Sequence, residues 1–410
     1  MTAKVTNRVL LTLLLFMLAA ALGLPLLTDA PNRLVDGHGI ALSALMQGKY
    51  VWLLLPFGVL AVQSFARQSR RAQVLSVVCA TVLLTGLTML AGTTATALSG
   101  GPDSFVRISF GGGFWLLFGL NCLAATDAIA RATASRPGRI FFNLLVFMPV
   151  ALLLVGGQLD QLSIMKEYVN RNDVFDAAVV RHLQIVVLTL LVSVTLGLPI
   201  GLAAMRYRRV QRGLFPVLNV IQTIPSLALF GLLIAPLAAL ATRFPWLAAH
   251  GVSGTGMTPA IIALVMYSLL PLARSTVAGL EQVPSGVIEA AHGMGLTGWQ
   301  VFLRVEAPLA LPVFLSGLRI TAVQAVGLTV VAALIGAGGL GGLVFQGLLS
   351  GALDLVLLGV IPVVVLAVVV DSGFKLIVTS LQAKQHVTQQ VREEAREETR
   401  EQASEPTRPA

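Results

Sequence analysis

Charged side chains are scarce in this sequence. Of its 410 residues only 11% are Asp, Glu, Lys or Arg, whereas 56% are hydrophobic, and the mean hydropathy is +0.85. A water-soluble fold cannot bury that much apolar surface with so few charges outside. The composition therefore excludes a soluble enzyme and predicts an all-α polytopic protein of the lipid bilayer, where helices pair every backbone group internally.

Reactive and metal-binding residues are equally sparse. Both cysteines, Cys79 and Cys122, lie in apolar runs, and the five histidines are scattered without metal-ligand spacing. The sequence also lacks the glycine-rich phosphate loop of an ATPase. We therefore expect no disulfide, no metal, no cofactor, no catalytic residues and no ATP hydrolysis by this chain.

Long apolar runs dominate what is present. Each spanning helix needs about 20 mostly apolar residues, and about ten segments meet that requirement. Basic residues between them show a bias of about two to one for placing both termini on the cytoplasmic side. The net charge of +9 is then explained by orientation, and no nucleic-acid partner is expected. The predicted spans are 9–27, 50–65, 74–92, 113–129, 140–157, 183–205, 214–240, 259–280, 313–335 and 355–377.

The spans and the polar stretches between them divide the chain into four parts. Residues 1–158 hold five predicted N-terminal helices, and residues 159–181 form a polar connector placed outside the cell. A membrane core follows at 182–378, with a long cytoplasmic loop at 281–312. Residues 379–410 lose the apolar pattern and alternate Glu with Arg, which is typical of a solvated helix or a disordered tail.

One glycine pattern invites a nucleotide-binding interpretation. Gly336, Gly338 and Gly341 match G-x-G-x-x-G, the fingerprint of dinucleotide-binding folds. An apolar helix of membrane length precedes the motif, where that fingerprint requires a strand. Close packing or a tight turn at a helix end is the better explanation.

The most informative segment is the loop between the eighth and ninth spans. Small residues, a glycine for a sharp turn and a proline before the next span suit two short helices at an angle. The loop resembles the EAA loop of permease subunits of binding-protein-dependent ABC importers, which has Glu-Ala-Ala, three residues, Gly, nine residues, then Ile, any residue, Leu-Pro. Val305 and Ala307 replace the Ile and Leu, and the matching residues are Glu289, Ala290, Ala291, Gly295 and Pro308.

Flanking segments extend the resemblance to residues 181–377. Residues 219–226, 267–274 and 332–341 look like the osmoprotectant branch of that family, which imports glycine betaine, choline, carnitine or proline betaine. The resemblance implies a type I permease core in the bacterial cytoplasmic membrane. It implies that a second permease subunit, identical or paralogous, completes the pathway, that separate ATPase subunits grip the EAA loops, and that an external binding protein delivers the solute. Glu289 would pair with a basic group of the ATPase.

Several polar residues lie inside predicted spans. Asn219, Gln222, Thr223 and Pro225 place two amides, a hydroxyl and a helix break within about one turn. Such groups either line a watery pathway or bond between helices, and the sequence leaves both open. Asp371 has no partner that the sequence identifies, whereas Asp127 lies four residues before Arg131, at the distance of a structural pair.

An ion-coupled secondary transporter is the competing hypothesis. Ten spans split five and five have opposite orientations, as in inverted-repeat transporters. Gly23-Leu24-Pro25 and Gly197-Leu198-Pro199 occupy corresponding positions in the two halves. The EAA-like loop, however, has no counterpart in the first half. A membrane-embedded enzyme is disfavoured because no acids, bases or metal ligands converge.

Overall fold

The computed structural model describes residues 5–33, 35, 37–46, 48–101 and 104–404, and only the backbone of residues 48, 49, 136 and 383–404. The outermost parts of the predicted N-terminal region and tail, residues 1–4 and 405–410, lie outside this description. By compactness the chain forms two units, one of residues 1–172 with 350–355 and one of residues 173–349 with 356–410.

The first unit contains helices and a small sheet. The sheet consists of β1 (Pro25–Ala30), β2 (His38–Ala41) and β3 (Arg107–Phe110) in the order β2-β1-β3, with both pairs antiparallel. The elements are α1 (Arg8–Gly23), β1 (Pro25–Ala30), β2 (His38–Ala41), α2 (Leu42–Leu45), a 3-10 turn (Gly48–Leu53), α3 (Leu54–Gln63), α4 (Arg70–Leu98), β3 (Arg107–Phe110), α5 (Gly112–Ala132), α6 (Arg136–Val155) and α7 (Ser163–Asn170).

The sheet corrects the all-α prediction. The first predicted span, 9–27, is wrong in its second part, because the helix ends at Gly23 and the chain continues as a strand from Pro25. Pro25 cannot donate a helical hydrogen bond and disfavours helical geometry in the residue before it. Leu26 and Leu27 are fully buried in the core of this unit. Apolar residues in a buried strand cannot be distinguished from a helix end by hydropathy alone.

The second unit is entirely helical in its described part. Its elements are α8 (Asn172–Arg206), α9 (Arg208–Thr223), α10 (Ser226–Arg243), α11 (Pro245–Ala249), α12 (Met257–Glu281), α13 (Ser285–Gly293), α14 (Gly298–Val301), a π turn (Phe302–Glu306), α15 (Ala307–Ala332), a 3-10 turn (Ala333–Ile335), α16 (Leu340–Leu349) and α17 (Leu353–Ser404). The most extensive helix packing joins α12 to α15.

Eight helices of the described chain are long and apolar enough to cross a membrane. The first two predicted spans instead correspond to shorter apolar helices, Arg8–Gly23 and Tyr50–Gln63. A helix of 16 residues is about 24 Å long, shorter than the roughly 30 Å hydrocarbon layer. The protein is therefore a multi-pass helical membrane protein with eight full-length candidate spans.

The seventh predicted span, 214–240, is interrupted rather than continuous. Helix α9 ends at Thr223, α10 begins at Ser226, and Ile224 between them is extended, with ψ of 127°. Pro199 and Pro271 remain inside helices, so proline alone does not explain the break. The Tyr267 hydroxyl donates a hydrogen bond to the Ile224 carbonyl, which satisfies a backbone group that the interrupted helix leaves free.

The G-x-G-x-x-G segment forms a turn and a close helix contact, as its sequence context predicts. Gly336 adopts a left-handed conformation (φ +82°) that ends the 3-10 turn after α15. A Cβ on Gly341 would lie 2.1 Å from the Val330 carbonyl oxygen. Only glycine allows α16 to approach the end of α15 this closely.

Substituting Gly341 by alanine is expected to lower the free energy of unfolding by about 1–3 kcal/mol, since overpacking shifts the backbone. The adjacent Gly342 has open space around its Cβ position and provides a matched control, for which Gly342→Ala leaves stability unchanged. Thermal unfolding of both purified variants in detergent measures the difference. Equal midpoints for the two variants would contradict the packing assignment.

Candidate functional site

A sharp bend separates the two short helices between α12 and α15. After α13 ends, Gly295 adopts a left-handed conformation with φ of +82°. The Gly295 N–H donates to the His292 carbonyl at 2.9 Å, and the Leu296 N–H donates to the Ala291 carbonyl at 3.2 Å. This pair of bonds is a Schellman motif, which commonly ends helices at glycine. Residues 285–306 are called the elbow below.

The second arm of the elbow restarts immediately. Thr297 caps α14 through its side chain, and Gln300 accepts a bond from the Thr297 N–H at 2.9 Å, which completes a capping box. The π turn then leads directly into α15, with Pro308 in the first turn of that helix. Helical structure is continuous from Gly298 to Ile335, so the elbow is attached to the packed bundle without an intervening loop.

The elbow presents an apolar surface with few charges. Met294 and Trp299 are 75% and 68% exposed, and the Trp299 ring stacks on Phe302 at a centroid distance of 5.6 Å. Val287 and Leu303 are also exposed. Exposed aromatic and methionine side chains on a rigid support are typical of protein interfaces. The elbow surface is defined as Val287, Met294, Trp299, Phe302 and Leu303.

The predicted EAA residues occupy different positions on this elbow. Ala291 is buried, whereas Glu289, Ala290, Gly295 and Pro308 are exposed or partly exposed. Among the described residues Glu289 has no salt-bridge partner. Its carboxylate is thus available to another molecule. Trp299 was not among the predicted site residues, although a tryptophan in a predicted cytoplasmic loop was a usable signal.

Two of the four predicted pathway residues are hydrogen-bonded to α12. The Gln222 amide donates to the Tyr267 carbonyl at 2.8 Å, and Arg274 donates to the Asn219 side-chain oxygen at 2.9 Å. The Thr223 hydroxyl donates a hydrogen bond to the Val220 carbonyl of its own helix, and both Thr223 and Pro225 are exposed. Interhelical bonding by the two amides is therefore observed, and the role of the four residues in a pathway stays a prediction.

The intramembrane carboxylates are paired. Asp371 of α17 lies 2.5 Å from Arg319 Nε and 2.6 Å from Lys375 Nζ, partners that the sequence analysis did not identify. The predicted Asp127–Arg131 pair is confirmed, with an N–O distance of 2.9 Å. Paired charges lower the cost of placing carboxylates in an apolar medium.

Two family models together match most of the chain. Residues 7–165 match the N-terminal domain of the ABC transporter permease YehY, and residues 193–382 match the binding-protein-dependent transport system inner membrane component. The elbow falls within the second match. The second match is to a family of membrane transport components, and the first is to the N-terminal domain of a permease.

Curated relatives resemble the second unit. The osmoprotectant import permease OsmW of Salmonella typhimurium is 37% identical over 191 residues, which cover 47% of this chain and 84% of the relative. The carnitine transport permease OpuCB of Listeria monocytogenes is 38% identical over 191 residues, covering 47% and 80%. The glycine betaine/carnitine/choline permease OpuCB of Bacillus subtilis is 34% identical over 190 residues, covering 46% and 80%.

Solved structures provide a more distant comparison. An inward-facing structure of the MetNI methionine ABC transporter is 24% identical, with a TM-score of 0.43, and covers 51% of this chain and 96% of that chain. On the curated relatives, this chain belongs to the family of permease subunits of binding-protein-dependent ABC importers, in the branch that includes the osmoprotectant permeases. The resemblance drawn from residues 289–308 is confirmed, and the relatives named here give no support to the secondary-transporter alternative.

Proposed function

We propose that this chain forms the translocation pathway of an ATP-driven importer for a small osmoprotectant such as glycine betaine. The observation that carries the proposal is the exposed apolar elbow, built as two capped helices and joined rigidly to α15. The names of the curated relatives, permeases for osmoprotectants, carnitine, glycine betaine and choline, support the solute class. Only four Tyr and four Trp are present, so selectivity for a quaternary ammonium resides mainly in the binding protein.

The assembly contains several further subunits. A separate cytoplasmic ATPase receives each elbow, and Glu289 pairs with a basic group there. A second permease subunit, identical or paralogous, completes the pathway, and an external binding protein delivers the solute. Asn219, Gln222, Thr223 and Pro225 contribute to the pathway, where the break between α9 and α10 leaves Thr223 and Pro225 accessible.

The membrane arrangement is part of the proposal. The core has the type I fold, lies in the bacterial cytoplasmic membrane, and has both termini on the cytoplasmic side. Both termini lie on the same side when the two shorter helices of the first unit are counted with the others, giving about ten membrane segments. The basic-residue bias supports this orientation, which places the elbow in the cytoplasm.

Uptake by the reconstituted complex tests this function. In liposomes, labelled glycine betaine should accumulate only when internal ATP, the ATPase subunit and the binding protein are all present. An ionophore that dissipates ion gradients should leave the rate unchanged. Uptake driven by an ion gradient without ATP would establish the secondary-transporter alternative and overturn the proposal. Choline, carnitine and proline betaine, supplied with the same binding protein, identify the solute.

A further inference from the structure

The first unit contains a polar cavity. It has a volume of about 480 Å³, within the roughly 300–1,000 Å³ range of small-molecule sites. Its walls come from the segment before and within β3, from the turn before α7, and from α7 itself. They include Phe105, Arg107, Asp160, Lys166 and Asn170.

Basic side chains cluster around this cavity. Glu167 is buried and shared by three guanidinium groups, with N–O distances of 3.6 Å to Arg33, 4.0 Å to Arg107 and 3.6 Å to Arg171. Lys166 adds a fourth cation, and Asp160 on the cavity wall is a second carboxylate. The distances from Glu167 to Arg33 and Arg107 are longer than those of a hydrogen bond.

The two basic residues of the wall lack strong acceptors. Arg107 Nε and Nη1 are buried without a hydrogen-bond partner among the described residues. Lys166, also buried, donates long hydrogen bonds from Nζ to three uncharged acceptors among the described residues, the carbonyls of Gly101, Ser104 and Val106 at 3.4–3.5 Å. Buried donors without acceptors are costly, and such groups in native structures commonly indicate a missing ion or water.

The pKa of Lys166 supports this interpretation. Burial lowers that pKa below its ordinary value, and the nearby Arg107 charge lowers it further. An anion in the cavity would oppose both effects, because a negative charge favours the protonated amine.

We propose that this cavity is a binding site for a small carboxylate, whose negative charge is held by Arg107 and Lys166. A carboxylate supplies two acceptor oxygens for the buried Arg107 donors that have no partner among the described residues. Phe105, which is 79% exposed, and Asp160 give the same cavity an aromatic face and a carboxylate. A zwitterion can therefore place a cationic end there. Simple carboxylates and zwitterions both carry the carboxylate group that the site binds. The titrations below distinguish these two ligand classes.

Ligand-dependent thermal unfolding of the full chain in lipid nanodiscs tests the site. Acetate, glycine betaine and choline are each titrated to about 50 mM at constant ionic strength, because screening changes with salt. We expect acetate or glycine betaine to raise the unfolding midpoint and choline alone to have no effect. Tighter binding of glycine betaine than of acetate identifies a zwitterion site, and equal or weaker binding identifies a free-carboxylate site.

Variants distinguish a binding role from a bracing role. Lys166→Met and Arg107→Met should each weaken the apparent affinity at least about tenfold, since each removes a charge-assisted hydrogen bond. Arg33→Met, which removes a neighbour of the same Glu167 without altering the cavity wall, should change it less than about twofold. If Lys166 and Arg107 only brace the fold, their variants lower the ligand-free midpoint but retain the ligand-induced shift.

Asp160→Asn keeps the test valid if those variants fold poorly. Asp160 is exposed, so its substitution preserves the fold, and removing its negative charge should tighten acetate binding by about twofold or more. Absence of any shift with acetate and glycine betaine, or shifts that no variant changes, overturns the proposal. Binding is measured on the chain alone, so a failure of uptake by the complex does not affect this result.

Discussion

Replacing Gly295 by valine is expected to reduce uptake by the assembled transporter at least about tenfold. Gly295 has φ of +82°, and a β-branched residue held there costs about 1–3 kcal/mol. A cost of about 1.4 kcal/mol corresponds to a tenfold change in an equilibrium constant. We therefore expect the strained turn to relax, which reorients α14. A Cβ at Gly295 would meet no atom within 4 Å, so the effect arises from the backbone and not from a steric clash.

Gly293→Val provides the matched control for this experiment. Gly293 is the last residue of α13, is exposed, has no atom within 4 Å of its Cβ position, and lacks a positive φ. We expect this variant to transport within about twofold of the unmodified protein, because valine is tolerated in a helix. Uptake, ATP hydrolysis and the amount of ATPase that co-purifies are measured for both. Normal transport by Gly295→Val at normal expression would remove the elbow from the coupling mechanism.

Substituting Trp299 by alanine should weaken ATPase binding by about thirtyfold, since buried interface tryptophans commonly contribute about 2 kcal/mol or more. Trp299 is 68% exposed in the isolated chain and its ring stacks on Phe302. A large rigid aromatic ring in this position fits a pocket of a partner. Titration of the purified ATPase subunit onto the permease in nanodiscs measures the dissociation constant.

Trp246→Ala controls for the loss of an exposed tryptophan. Trp246 is 62% exposed and lies in the short helix α11, outside the elbow. Its substitution should leave ATPase binding unchanged. If the two alanine variants bind the ATPase equally well, the elbow surface defined above is not the docking surface.

The elbow illustrates how far local sequence can predict a site. The spacing from Glu289 to Pro308 predicted two short helices with a glycine turn, and the Schellman motif at Gly295 is that turn. The helices and the glycine turn both follow local rules of helix termination. Trp299 lies in the same loop, but its exposure of 68% depends on how the elbow is oriented on the bundle, which residue spacing does not encode.

Ion pairs between residues far apart in the chain could not be predicted from the sequence. Arg319 and Asp371 are 52 residues apart, and no local pattern identifies one as the partner of the other. The repeat suggested by Gly23-Leu24-Pro25 and Gly197-Leu198-Pro199 is similarly misleading. The first segment ends a helix and starts a strand, whereas the second lies inside α8. The same three residues adopt different structures because the surrounding packing differs.

The amino-acid sequence alone determined that this protein resides in a bilayer, that it is built mainly from spanning helices, and that it carries an ABC-importer elbow. Those properties depend on composition, apolar length and residue spacing, all of which act locally along the chain. Only the tertiary structure decided that residues 25–30 form a strand, that α9 and α10 separate at Ile224, and that Arg107 and Lys166 share a cavity. Each of these features depends on hydrogen-bond partners and charges supplied by distant segments, which become neighbours only when the chain has folded.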